Sequence, residues 1–232
     1  MTTDRSTDAR REIVVVCRRL YEHGLIAGQD GNVSVRLGEN RVLVTPAGMS
    51  KVDVEPEDLV EVGLDGKRLT GYQRPSSEVD LHIRVYSRRP DVMAVVHAHP
   101  PVATGFAVAG EGLEATVLPE LICQVGRVPV VPYARPGTPA LGDACEPFIG
   151  EHDAFLMANH GAVTMGPTLR VAHQRMESLE HAARIMLAAR LVGRVNELTP
   201  AQIAELRSAR TRPDVPGADP GGPARRSRRR EE

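Results

Sequence analysis

Val95-Val96-His97-Ala98-His99-Pro100 is the stretch from which the rest of this 232-residue chain is read. In an extended strand, residues at i and i+2 point to the same face, so the run places two imidazoles side by side. The apolar residues before them predict a strand, and Pro100-Pro101 ends it. A second apolar run, Ala154-Phe155-Leu156-Met157, leads into Ala158-Asn159-His160-Gly161 and carries a third imidazole to a strand end. Three imidazoles at two strand ends point to one divalent metal ion held by His97, His99 and His160. Zinc is the simplest choice, with manganese and cobalt open to the same ligands. Three protein ligands leave a coordination position free, as catalytic rather than structural zinc requires.

Outward from the histidines, apolar spacing predicts a helix over 8–23, with Gly24 as its C-terminal stop. Residues 33–37 and 41–45 read as a hairpin turning at Gly38-Glu39-Asn40, and 59–62 as a strand before the Asp65-Gly66 turn. Helical periodicity returns over 75–88, followed by the metal strand at 92–99 and strands at 128–132, 154–159 and 162–165. A long helix is predicted over 169–192, with Thr168 as N-cap and Gly193 beyond its end. Thr199-Pro200-Ala201-Gln202 opens a last helix ending near 209. This interleaving predicts a single α/β domain over 1–210 with a central, mostly antiparallel sheet. Residues 211–232, rich in proline, glycine and arginine, read as a disordered tail. The arginine run at 225–230 is read as a solvated part of that tail rather than a nucleic-acid contact.

A formal net charge of −1 gives no global attraction to nucleic acid or an anionic membrane. Cys17, Cys123 and Cys145 are odd in number and scattered, which fits a reducing compartment rather than a disulfide framework. The polar N-terminus and the lack of any run of about 20 apolar residues make a cytoplasmic protein with no membrane partner the expectation.

Three further segments carry anion-binding chemistry: Gly31-Asn32-Val33-Ser34, Thr45-Pro46-Ala47-Gly48-Met49-Ser50-Lys51 and Pro75-Ser76-Ser77-Glu78. Singly, each reads as turn chemistry or a serine cap. Together, beside a metal site, they point to a phosphorylated substrate cradled by backbone N–H groups and hydroxyls. Glu78 reads either as a first-turn helix carboxylate or as a general base beside the metal. His82, one turn later, and His173, Glu177, Glu180 and His181 on the long helix read as packing or solvated residues.

In order and spacing, Gly31–Arg36, Thr45–Gly48, Pro75–Glu78, Val95–His99 and Asn159–Gly161 resemble the class II aldolase/adducin family, and within it the L-fuculose-1-phosphate aldolase branch. The resemblance implies an α/β/α sandwich around a mainly antiparallel sheet, and a C4 homotetramer with active sites between subunits. It implies zinc on His97, His99 and His160, and Glu78 as the acid/base residue that approaches the metal in the empty enzyme. Asn32, Gly48, Ser76 and Ser77 would contact the substrate phosphate. The implied reaction is cleavage of a short ketose 1-phosphate, of the L-fuculose 1-phosphate kind, to dihydroxyacetone phosphate and an aldehyde through an enediolate.

The chain departs from the aldolase pattern in three places. Ala47 stands where the aldolases carry a hydroxyl residue. Leu118-Pro119-Glu120 lacks the tyrosine that a neighbouring subunit would supply to the aldehyde oxygen, and no aromatic residue follows Phe155. The metal and enediolate half of the pattern is intact, and the aldehyde half is altered. Alternatives are a methylthioribulose-1-phosphate dehydratase-like enzyme, a pentulose-phosphate 4-epimerase (whose family members generally carry aspartate in place of Glu78) and a non-catalytic adducin-like scaffold.

Overall fold

The computed structural model describes residues 5–114 and 116–210. The predicted disordered tail and its arginine run lie outside the described residues. The chain runs α1 (Arg5–Glu22), β1 (Asn32–Gly38), β2 (Arg41–Val44), a 3-10 turn (Pro56–Asp58), β3 (Val60–Val62), β4 (Arg68–Thr70), α2 (Val79–Arg88), β5 (Ala94–Ala98), α3 (Pro101–Val108), α4 (Pro119–Gln124), β6 (Val130–Val131), α5 (Pro139–Ile149), β7 (Ala154–Met157), β8 (Gly161–Gly166), α6 (Leu169–Val192) and α7 (Pro200–Arg210). The strands form one sheet in the order β4-β3-β2-β1-β5-β8-β7-β6. Only the edge pair β6–β7 is parallel, so the sheet is mainly antiparallel as expected.

Alternation along the strands sorts the apolar residues into two cores. Val33, Leu43, Ala94, Val96, Leu156 and Ala162 face α1, α3, α4 and α6. Val42, Val44, Val95, Phe155, Met157, Val163 and Met165 face α2 and α5. Helices on both faces of a sheet make the α/β/α sandwich that the family resemblance implies.

Several local expectations are corrected. The second helix begins at Val79, not residue 75, because Pro75 bridges to Pro46 and the Ser76 N–H donates to the Thr45 carbonyl at 3.1 Å. Glu78 is therefore the residue before the helix, not part of its first turn. The metal strand ends at Ala98, and the His99 N–H instead donates to the Leu25 carbonyl at 3.0 Å. The sequence reading missed three helices, α3, α4 and α5. Each starts with proline at its first position, where the absent N–H is not needed, and each is too short or too rich in small residues to show a clear period. Both caps predicted for the last two helices are present: Thr168 accepts from the Val171 N–H, and Thr199 and Gln202 cap each other. Among the described residues, no helix is long and apolar enough to cross a membrane.

Candidate active site

His97 is the last but one residue of β5, points to the α2 side and is 1% exposed. His99 follows the strand, and Pro100 turns the chain into α3. The first N–H groups of that helix, on Val102 and Ala103, donate to the buried Glu180 carboxylate of α6. This remote cap fixes the chain immediately after His99, and Glu180 is not the solvated residue the sequence suggested. His160 lies in the tight β7–β8 turn, where Asn159 takes a left-handed φ of 56° and the His160 N–H returns to the Met157 carbonyl.

The three rings stand edge to face, with centroids 4.9, 4.9 and 5.0 Å apart. One ligand atom from each lies within 4.8 Å of the others. Hydrogen bonds set the tautomers of two rings. His97 Nδ1 donates to the Ala162 carbonyl at 2.9 Å, which leaves Nε2 bare in the neutral ring. That Nε2 faces His99 Nε2 at 3.2 Å and Glu78 Oε2 at 3.1 Å. His99 Nδ1 is turned outward to Asp30 at 3.3 Å, so its Nε2 also points inward. Lone pairs thus converge on one another and on a carboxylate, an arrangement that calls for positive charge between them. A divalent cation on His97, His99 and His160 fits this donor set.

Glu78 closes the site. Oε2 accepts from Asn32 Nδ2 at 2.9 Å, and Oε1 lies 3.3 Å from His160 Nε2. Burial alone would raise this carboxyl. His97, His160 and the Asn32 amide outweigh burial and hold it below the usual carboxylate range. Burial, which disfavours the charged ring, pushes His160 down to about 4.

In front of these groups is a polar cleft of about 180 Å³ whose lining includes Asn32, Ala47, Gly48, Ser76, Ser77, Glu78, His99 and His160. The sequence-predicted phosphate residues are therefore brought together on one side of the imidazoles. Their loops are laced to each other: the Ala47 N–H donates to the Arg74 carbonyl, and the Ser76 N–H to the Thr45 carbonyl. A larger groove of about 780 Å³ between α1, α4 and α6 contains none of the three histidines, and Glu120 lines that groove rather than the cleft.

The sequence reading missed two residues. Lys51 is 2% exposed, donates to the Gln29 and Met49 carbonyls at 2.9 and 2.8 Å, and is the one lysine or arginine among the described residues lining the cleft. Burial lowers its pKa. Its place directly after the Ala47-Gly48 turn was the available signal. His82, read from the sequence as a packing or solvated residue, is wholly buried behind Asn32, as the packing alternative requires. Its spacing of four residues from Glu78 was the signal there.

The profile of the family described as Class II Aldolase and Adducin N-terminal domain matches residues 11–187. A 3-oxo-tetronate 4-phosphate decarboxylase of Pectobacterium atrosepticum is 36% identical over 205 residues, covering 85% of this chain and 92% of the relative. An L-fuculose phosphate aldolase of Methanocaldococcus jannaschii is 30% identical over 183 residues, covering 79% of this chain and 98% of the relative. The crystal structure of YgbL from Escherichia coli superposes with a TM-score of 0.80 at 32% identity, covering 87% of this chain and 99% of that one.

Proposed function

We propose, for a chain that belongs to the class II aldolase and adducin family, a metal-dependent lyase activity that breaks a carbon–carbon bond beside the ketone of a phosphorylated substrate and releases dihydroxyacetone phosphate. The observation that carries this reading is the Glu78 carboxylate lodged between two converging imidazoles, at 3.1 and 3.3 Å, at the back of a cleft lined by Gly48, Ser76 and Ser77. A decayed scaffold would have no reason to keep a buried carboxylate among three histidines.

The two relatives' substrates share one product half. A 3-oxo-tetronate 4-phosphate that loses C1 as carbon dioxide leaves an electron pair on C2, delocalised into the C3 ketone. This is the enediolate of dihydroxyacetone phosphate. Retro-aldol cleavage of a ketose 1-phosphate between C3 and C4 leaves the same enediolate. A cation on His97, His99 and His160, zinc being the simplest, would supply Lewis-acid stabilisation of the developing negative charge. Glu78 delivers a proton to the carbon that has lost its bond. Gly48, Ser76, Ser77 and Asn32 hold the phosphate through N–H groups and hydroxyls, and Lys51, which lines the same cleft, supplies a formal positive charge.

Decarboxylation is the leading form of the reaction. Its leaving group departs as a neutral gas and needs no proton relay, whereas retro-aldol cleavage must manage the proton of the departing aldehyde's oxygen. The Leu118-Pro119-Glu120 stretch, where the aldolases carry the tyrosine that a neighbouring subunit supplies, has none. Cleavage of a ketose 1-phosphate such as L-fuculose 1-phosphate is the second form, supported by the aldolase relative. A C4 homotetramer with sites between subunits belongs to the same proposal. The test is product analysis by NMR of metal-loaded protein with each phosphate. Release of carbon dioxide with dihydroxyacetone phosphate supports the first form, and an aldehyde with dihydroxyacetone phosphate supports the second. Epimerised or dehydrated product without bond cleavage would overturn both.

A further inference from the structure

Behind the cleft, β1 and α2 are joined by buried polar side chains in series. Asn32 Nδ2 donates to Glu78 Oε2, and Asn32 Oδ1 meets His82 Nε2. His82 Nδ1 lies 2.6 Å from Ser34 Oγ, and Ser34 Oγ lies 2.7 Å from Tyr86 Oη. Ser34 and His82 are fully buried, and Tyr86 is 1% exposed.

The direction of every bond follows from valence. An ionised carboxylate only accepts, so Asn32 turns its NH₂ to Glu78 and its oxygen to His82. An amide oxygen only accepts, so His82 Nε2 carries the proton. Burial keeps this ring neutral, with its pKa pushed down to about 3. Nδ1 is therefore an acceptor, Ser34 donates to it, and the Ser34 oxygen accepts from the Tyr86 hydroxyl. At the other end, Glu78 Oε1 has no hydrogen-bond partner.

We propose that this chain locks the Glu78 carboxylate in one orientation: Asn32, His82, Ser34 and Tyr86 are positioning residues whose fixed donor directions hold the Asn32 NH₂ on Oε2. The inference rests on Glu78 being the proton carrier. Turning the Asn32 amide over would require His82 to move its proton to Nδ1, and Ser34 and Tyr86 to reverse in turn, inside a buried layer where an unpaired group is expensive. The device also fixes the carboxylate plane, so the basic lone pair is presented to the cleft in one orientation.

Two measurements test this. The first needs no activity: ¹⁵N NMR of histidine-labelled, metal-loaded protein should show His82 neutral with the proton on Nε2 from pH 5 to 8. A proton on Nδ1, or a charged ring, overturns the inference. The second compares Ser34→Ala, Tyr86→Phe, His82→Gln and His82→Leu, each checked for folding and metal content. Ser34→Ala should lower kcat about tenfold while KM stays within about twofold, because proton transfer and not binding is disturbed. His82→Gln, which keeps a donor for Asn32, should retain more kcat than His82→Leu, with Ser34→Ala and Tyr86→Phe deciding the matter if the leucine variant does not fold. Folded, metallated Ser34→Ala and Tyr86→Phe proteins with wild-type kcat overturn it. A wild-type protein that turns over no phosphorylated substrate defeats the functional reading instead, and the His82 tautomer then decides the chain on its own.

Discussion

Glu78 contacts His97, His160 and Asn32 through its two oxygens, so neutralising it removes the proposed proton carrier while leaving the imidazoles in place. Glu78→Gln should bind metal as the parent does and lose about 10²–10⁴-fold in kcat. Metal analysis beside turnover checks this, and an unchanged kcat would contradict the assignment. Lys51 makes a separate prediction. Lys51→Met keeps most of the buried volume but leaves the cleft with no lysine or arginine among the described residues. It should raise KM for the phosphorylated substrate by about 10–100-fold, the worth of a charge-assisted hydrogen bond. The preference for phosphorylated over unphosphorylated substrate should fall in step. A Lys51 that only staples the Gln29 and Met49 carbonyls would leave that preference unchanged. At this scale the sequence displayed the histidines, Glu78 and the serine loops clearly, because their residue types declare their chemistry. Lys51 and His82 were opaque, because burial decides their roles and burial depends on packing between distant segments.

The β1–α2 pair explains how the site is assembled from two elements. Alternate residues of β1, Asn32, Ser34 and Arg36, face α2, since Val33 and Leu37 face the other core. Two residues of strand advance about 6.8 Å and four of helix about 6 Å. Glu78, His82 and Tyr86 therefore keep step with them. Arg36 completes the ladder by lying 4.9 Å over the Tyr86 ring. A polar period of two in one segment and of four in another was present in the sequence, but nothing in either segment announced the other as its partner. The long amphipathic elements α1, α2 and α6 and the β1–β2 hairpin were legible for the opposite reason, since each carries its own period and its own stop. Close approach also constrains the β8 start: a Cβ on Gly161 would lie 2.6 Å from the Ala98 carbonyl oxygen and 2.5 Å from His99 Cδ2. Gly161→Ala should therefore displace His99 and lower metal affinity about tenfold or more with helix content preserved. A chelator competition assay reads this, and parent-like affinity would mean that the strand ends tolerate more movement than the geometry implies.

For the molecule as a whole, the sandwich places α2 over the same sheet face that carries His97, so folding and site assembly are one event. The buried His82 then ties stability to pH. Its folded pKa, about 3, lies below its ordinary value of 6.5. The unfolded chain thus takes up the proton first as pH falls. Stability from this group is complete above about pH 6.5 and declines on acidification toward pH 3, by about 1.4 kcal/mol per unit. Urea unfolding at stepped pH should show that decline, and His82→Gln should flatten it. An equal slope in both proteins would place the acid sensitivity elsewhere. The proposed tetramer predicts a solution mass of roughly four times 25.2 kDa, read by light scattering. Formation of the enediolate of dihydroxyacetone phosphate, with Glu78 as proposed proton carrier, is tested most directly by C–H exchange of that compound in D₂O, followed by NMR with zinc and with a chelator. Exchange at the hydroxymethyl carbon should depend on metal and be lost in Glu78→Gln. No exchange by a folded, fully metallated wild-type protein would contradict enediolate formation.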